Sequence, residues 1–165
     1  MVKTKKVEET NLSKAVTDLL IDIPMFDQIK SDDLKVLARH MNFMDFDPRE
    51  VIFSEGDKGD FVCFVTKGAL DVIKKNEKGI DVTIASLGRG RSIGEMSVID
   101  DFPRSATVRA RTKSTLLILT RPKFEQLLEQ YPQIGVKLLK GLAKLLSMNM
   151  RKTSSQLADY MLALS

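Results

Sequence analysis

Between Asp45 and Thr120 the chain changes period, and that change limits the folds open to it. Short β-branched and aromatic runs at 51–53, 61–65, 70–73, 82–85, 106–110 and 116–119 alternate with Gly- and Asp-bearing turns at 56–60, 67–68, 76–79 and 87–90. Strands this short, roughly 8–12 residues apart, build an antiparallel sandwich or roll rather than a parallel sheet with crossover helices. Helical spacing brackets the β region on both sides. Leu12, Ala15, Val16, Leu19 and Leu20 repeat at helical intervals, Ile23-Pro24 interrupts them, and Ser31 is placed to cap a second helix with the stripe Leu34, Leu37, Ala38 and Met41. After Thr120 the helical period returns. Pro122 suits the first turn of a helix to about Gln130, and a longer helix from Ile134 would span about 45 Å. The expected class is α+β: an antiparallel, jelly-roll-like β-roll with N-terminal helices and a long C-terminal helix. The expected division is 1–44 helical, 45–120 roll and 121–165 helical.

On the long helix, Ile134, Leu138, Leu142, Leu145, Asn149, Thr153, Leu157, Tyr160 and Leu164 recur in steps of three or four. They read as a coiled-coil-like homodimer seam, with Leu139, Ala143, Leu146 and Met150 packing on the roll. One wide core-facing surface is the alternative. Lys137, Lys140, Lys144, Arg151 and Lys152 have no acidic residue among them. They form a solvated face or a surface for an acidic partner or membrane.

Several chemistries find no residues to carry them. His40 is the only histidine and sits on an expected helix, and no His/Cys cluster suits a metal, so neither catalytic nor metal-ligating residues are assigned. The lone Cys63 permits no internal disulfide and lies in the apolar run 61–65, which reads as a packed thiol in a reducing, cytoplasmic setting. No apolar run approaches the roughly 18 residues of a membrane span. There is no P-loop, and Gly88-Arg89-Gly90 with Gly94 misses the dinucleotide spacing by one position. Asp57 and Asp60 read as turn formers beside Gly56 and Gly59. The net charge of +4 permits an anionic ligand without demanding nucleic acid.

Residues 94–106 survive this sorting. Gly94 lets a ligand approach the backbone, and Glu95 to Ile99 can make one helical turn. Asp100-Asp101-Phe102-Pro103 turns the chain, and Arg104 returns a planar fork suited to a phosphate. Two readings stand: a pocket for a ligand with both a hydroxyl and a negative charge, or a Glu95–Arg104 salt bridge bracing the turn.

The stretch resembles the phosphate-binding cassette of cyclic nucleotide-binding domains. Gly94-Glu95-Met96-Ser97-Val98-Ile99 with Pro103-Arg104-Ser105-Ala106 follows that pattern, and Arg104 stands nine positions after Glu95, as in regulatory subunits of cyclic-AMP-dependent kinase. Ile23-Pro24-Met25-Phe26, Gly56-Asp57-Lys58-Gly59-Asp60, Lys67-Gly68, Leu87-Gly88, Ala106-Thr107-Val108-Arg109-Ala110 and Arg121-Pro122-Lys123-Phe124 extend the resemblance to about residues 20–150. It implies a non-catalytic regulatory β-roll with a cyclic nucleotide against the cassette at 93–106. Glu95 would accept the ribose 2′-OH and Arg104 would pair with the cyclic phosphate. N–H groups around Met96, Ser97 and Ala106 would join them, with the Ser105 hydroxyl. Val72, Ile84 and Ile93 match apolar pocket positions.

Three residues depart from the pattern. Ile93 replaces a frequent aromatic, Ser97 replaces the usual Ala, and Ser105 is neither the common Ala nor Thr. Ser105 favours cyclic AMP by likeness to catabolite activators, with cyclic GMP the alternative. Asn149 would read an adenine edge, or else set the register of a dimer seam. Tyr160 is a candidate to stack on the base. The sequence ends without a helix-turn-helix, so the resemblance implies no DNA partner and an output to a separate, unnamed protein. The rival readings are a nucleotide-independent scaffold or a truncated transcription regulator.

Overall fold

The computed structural model describes residues 16–21 and 23–164. Of the helix expected over 11–20, residues 16–20 are helical, and 11–15 lie outside the described residues. A 3-10 turn at Pro24–Phe26 and helix α1 at Ser31–Ala38 follow. Ser31 is the first helical residue rather than the cap. Lys30 stands at the cap position without a side-chain bond, and Asp32 and Asp33 supply negative charge in the first turn.

Eight strands form two antiparallel sheets: β1 Asn42–Phe46, β2 Val51–Phe53, β3 Phe61–Lys67, β4 Leu70–Lys75, β5 Asp81–Leu87, β6 Ser92–Ile93, β7 Thr107–Ala110 and β8 Ser114–Thr120. One sheet has the order β1-β8-β3-β6 and the other β2-β7-β4-β5. The α+β roll is the class expected from the changing period. β1 and β6 are additions to the strands read from the sequence.

The sheets enclose one apolar cluster with Phe53, Cys63, Val65, Leu70, Val72, Val108 and Leu116 at its centre. A second cluster lies outside the first sheet. There Val62, Phe64, Leu117 and Leu119 meet the N-terminal segment and the C-terminal helices, α2 at Arg121–Gln130 and α3 at Pro132–Leu164.

The long helix behaves differently from the single seam expected of it. Ile134, Leu138 and Leu142 are buried against their own chain, so this half of the stripe is core and unavailable to a second copy. Leu139, Ala143 and Met150, expected to pack on the roll, are exposed. The rotation follows from Gly141: a Cβ there would stand 1.9 Å from the Met25 carbonyl oxygen, so the 3-10 turn lies directly on that face. The basic face also finds acidic partners from outside the helix. Lys137 pairs with Asp33 at 2.7 Å and Lys144 with Asp27 at 2.5 Å. From Met148 to Leu162 every side chain is exposed. No helix among the described residues is long and apolar enough to cross a membrane.

Candidate functional site

β6 ends where Gly94 takes φ +86°, a left-handed conformation that suits glycine. A Cβ at Gly94 would also lie 2.4 Å from Arg104 Nη1, so both backbone and space require its absence. The chain then makes the single 3-10 turn Glu95–Val98 and passes Asp100 to Pro103.

Arg104 returns to the same place because the loop at 56–60 clasps its backbone. The Arg104 N–H donates to the Asp57 carbonyl at 2.8 Å, and the Gly56 N–H donates to the Arg104 carbonyl at 2.8 Å. This loop, read from the sequence as a turn and as part of the resemblance, is therefore the frame of the site.

The Arg104 side chain is 4% exposed. Its Cζ stands 4.0 Å from the centroid of Phe53 and 4.4 Å from that of Phe61, so two aromatic faces hold the cation. Nη1 donates to Ser97 Oγ at 2.9 Å and Nη2 to the Phe61 carbonyl at 2.9 Å. Nε is buried without an acceptor. Burial pushes the guanidinium pKa down, opposed by Cys63, Asp60 and Asp57. Buried donors are normally paired, so the orphan Nε leaves the guanidinium with bonding capacity that no described residue uses.

Glu95 is 7% exposed and its Oε1 accepts the Ser92 hydroxyl at 2.5 Å. No ion pair joins Glu95 to Arg104 among the described residues, so the bracing salt bridge considered from the sequence is not formed. A buried carboxylate and a buried guanidinium share one cavity while each is held by neutral groups. That arrangement can receive a ligand hydroxyl and a ligand anion together.

Ser97 is fixed twice more. Its N–H donates to the Gly94 carbonyl at 3.2 Å, and its carbonyl accepts from Arg121 Nε at 3.0 Å and Nη2 at 2.5 Å. Arg121, the first residue of α2, also reaches the Asp100 carbonyl and the Asp101 carboxylate. The turn is thereby tied to the C-terminal helices. The Ser97 hydroxyl that replaces the expected Ala has its partner in Arg104.

The cavity measures about 120 Å³. Ile93, Gly94, Glu95, Met96, Ser97, Arg104, Ser105 and Ala106 line it, as the sequence led one to expect. So do Phe53, Phe102 and Val108, which had not been assigned to it. Alternation alone could place Phe53 and Val108 on an inward strand face, but nothing local ties them to Arg104.

Three expected residues fall elsewhere. Val72 is buried in the roll core opposite Val108, Ile84 is 58% exposed on β5, and Asn149 is exposed on the half of α3 clear of the core. Tyr160, also on that half, is 64% exposed. Cys63 is fully buried, which pushes its thiol up to about 12 and leaves it no nucleophile. No group of His, Cys, Asp and Glu among the described residues is arranged to hold a metal.

A family model described as "Cyclic nucleotide-binding domain" matches residues 43–131. The cAMP-dependent protein kinase regulatory subunit of Yarrowia lipolytica is 32% identical over 109 residues, covering 66% of this chain and 28% of that protein. The cAMP-activated global transcriptional regulator of Salmonella typhimurium is 26% identical over 123 residues, covering 74% of this chain and 59% of the other. The chain thus spans less than two thirds of the length of these curated relatives. The crystal structure of a cyclic nucleotide-binding domain from Methylobacillus flagellatus superposes with a TM-score of 0.85 at 27% identity, covering 96% of this chain and 89% of that one.

Proposed function

Because this chain belongs to the cyclic nucleotide-binding domain family, we propose that it is a non-catalytic regulatory protein that binds cyclic AMP in the cavity beside Arg104 and signals to a separate protein through its C-terminal helix. One observation carries the reading: a buried guanidinium with one unpaired N–H and no carboxylate partner among the described residues lines the same cavity as a buried carboxylate held by a single serine hydroxyl. The exocyclic phosphate oxygens answer Arg104. The ribose 2′-OH, left free in a 3′,5′-cyclic phosphate, donates to Glu95. Backbone N–H groups of Met96 and Ala106 and the Ser105 hydroxyl complete the cradle. The base leaves the cavity past Ile93 and Val108, which line it.

In this reading the roll of 45–120, which β1 enters from Asn42, binds, and the helices of 121–165 report. Arg121 supports the last part, because any shift of the turn at Ser97 pulls on the first residue of α2. The exposed half of α3, with Asn149 on it, is the surface offered to a second copy or to the partner. A single, inert, buried thiol accords with a cytoplasmic setting.

Titration calorimetry with cyclic AMP and with cyclic GMP tests the reading. Cyclic AMP binding more tightly than cyclic GMP is the expected result, and no heat from either at high micromolar concentration would refute it. The rival scaffold reading predicts the second outcome with the fold intact.

A further inference from the structure

Lys74 on β4 lies away from the cassette in sequence, yet it grips the cassette's last peptide. Its Nζ donates to the Ser105 carbonyl at 2.7 Å and to Glu55 Oε1 at 2.6 Å. Glu55 is in turn anchored to the same corner, its N–H donating to Thr107 Oγ1 at 2.9 Å. Lys74 and Glu55 thus close a bracket around residues 105–107 from outside the cavity.

A trans peptide is planar, so the carbonyl of Ser105 and the N–H of Ala106 point in opposite directions. Holding that carbonyl on the Lys74 side turns the Ala106 N–H to the other side. Ala106 is 9% exposed, lines the cavity, and its N–H has no acceptor among the described residues. A cation on the carbonyl also polarises the peptide and makes the N–H a stronger donor.

We propose that Lys74, oriented by Glu55, is a positioning residue that aims and polarises the Ala106 N–H toward the bound anion. The proposal rests on the reading of the cavity as a cyclic-phosphate site. Lys74 itself touches no ligand. Its contribution is one hydrogen bond from an amide that would otherwise be free to turn, so its loss weakens binding on the order of tenfold.

The test uses the full chain with Lys74→Met, which keeps the apolar stem, Lys74→Arg, which keeps a cationic donor, and Glu55→Gln. Calorimetry with cyclic AMP is expected to show about a tenfold loss for Lys74→Met, a smaller loss for Glu55→Gln, and recovery of most of the affinity in Lys74→Arg. In ligand-free protein the Ala106 amide resonance is expected to move in Lys74→Met and return towards its wild-type position in Lys74→Arg. A merely structural effect would not single out that amide. Unchanged affinity in Lys74→Met, or an Ala106 resonance that stays in place, overturns the proposal. Should the wild-type chain bind no cyclic nucleotide, the functional reading falls by itself, and the Ala106 resonance alone then decides whether Lys74 orients the peptide.

Discussion

A guanidinium that is 4% exposed and has no carboxylate partner among the described residues is a liability to folding. Arg104 offsets part of the cost with two aromatic faces and bonds to Ser97 and Phe61, but Nε remains unpaired. A residue kept for stability alone would be better replaced by an apolar side chain of similar volume. Arg104→Met should therefore hold or raise the midpoint of urea unfolding. The same change should weaken cyclic AMP binding by about 2–5 kcal/mol, as when a buried charge loses its partner. The two effects together separate a binding residue from a brace. A variant that loses stability while keeping affinity would return Arg104 to the bracing role. Ser97 refines the argument, because its hydroxyl fixes Nη1 and leaves the fork less free to turn before a ligand arrives.

At the level of elements, the junction between α3 and the 3-10 turn at Pro24–Phe26 is set by one missing side chain. Replacing a glycine inside a helix by alanine normally gains about 1 kcal/mol. At Gly141 the new Cβ would stand 1.9 Å from the backbone oxygen of Met25, which cannot move without shifting the turn. Overpacking of this kind costs about 1–3 kcal/mol, so Gly141→Ala should be net destabilising. At Gly135 the nearest atom, at 2.7 Å, is the end of the Leu128 side chain, and the closest backbone atom, the Leu128 Cα, stands at 3.2 Å. Gly135→Ala should therefore cost less, and equal urea midpoints for the two variants would contradict this ranking. No pattern local to the sequence separates these two glycines, because their neighbours come from other elements. Strands with clear runs and glycine turns were legible for the opposite reason. β6 has two residues and β1 mixes Asn and Asp with its aromatics, so neither produces an alternation to read. In the site, Gly94, Glu95 and Arg104 are legible because one short stretch carries them. Phe53, Phe61 and Lys74 are not, and the 56–60 loop is legible as a turn but not as the clasp of Arg104, since these roles depend on distant segments meeting Arg104 and Ser105.

For the whole molecule, the feature that stands apart from the core is the far end of α3. The helix has 33 residues and runs about 50 Å. Its first half is anchored by Ile134, Leu138 and Leu142, and by Lys137 and Lys144 in ion pairs. Its second half exposes Met148, Met150, Leu157, Tyr160, Met161 and Leu162. One periodicity runs through both halves, although the first packs on the core and the second exposes its side chains. Once Ile134, Leu138 and Leu142 are taken by the core and Leu145 packs beside them, the part of the stripe that remains for a partner includes Asn149, Thr153, Leu157 and Tyr160, in steps of four, four and three. A symmetric pair of such helices would bury both copies of Leu157, about 2–3 kcal/mol each. Leu157→Glu should therefore weaken self-association by about a thousandfold or more, read by light scattering as conversion of dimer to monomer. A wild-type chain that is monomeric at high micromolar concentration would remove the seam altogether. Repeating the measurement with cyclic AMP separates the regulator from the scaffold. A ligand shifts an equilibrium only through different affinity for its two states. Movement of α3 by cyclic AMP must then change the association constant, whereas a scaffold would associate equally well with and without it.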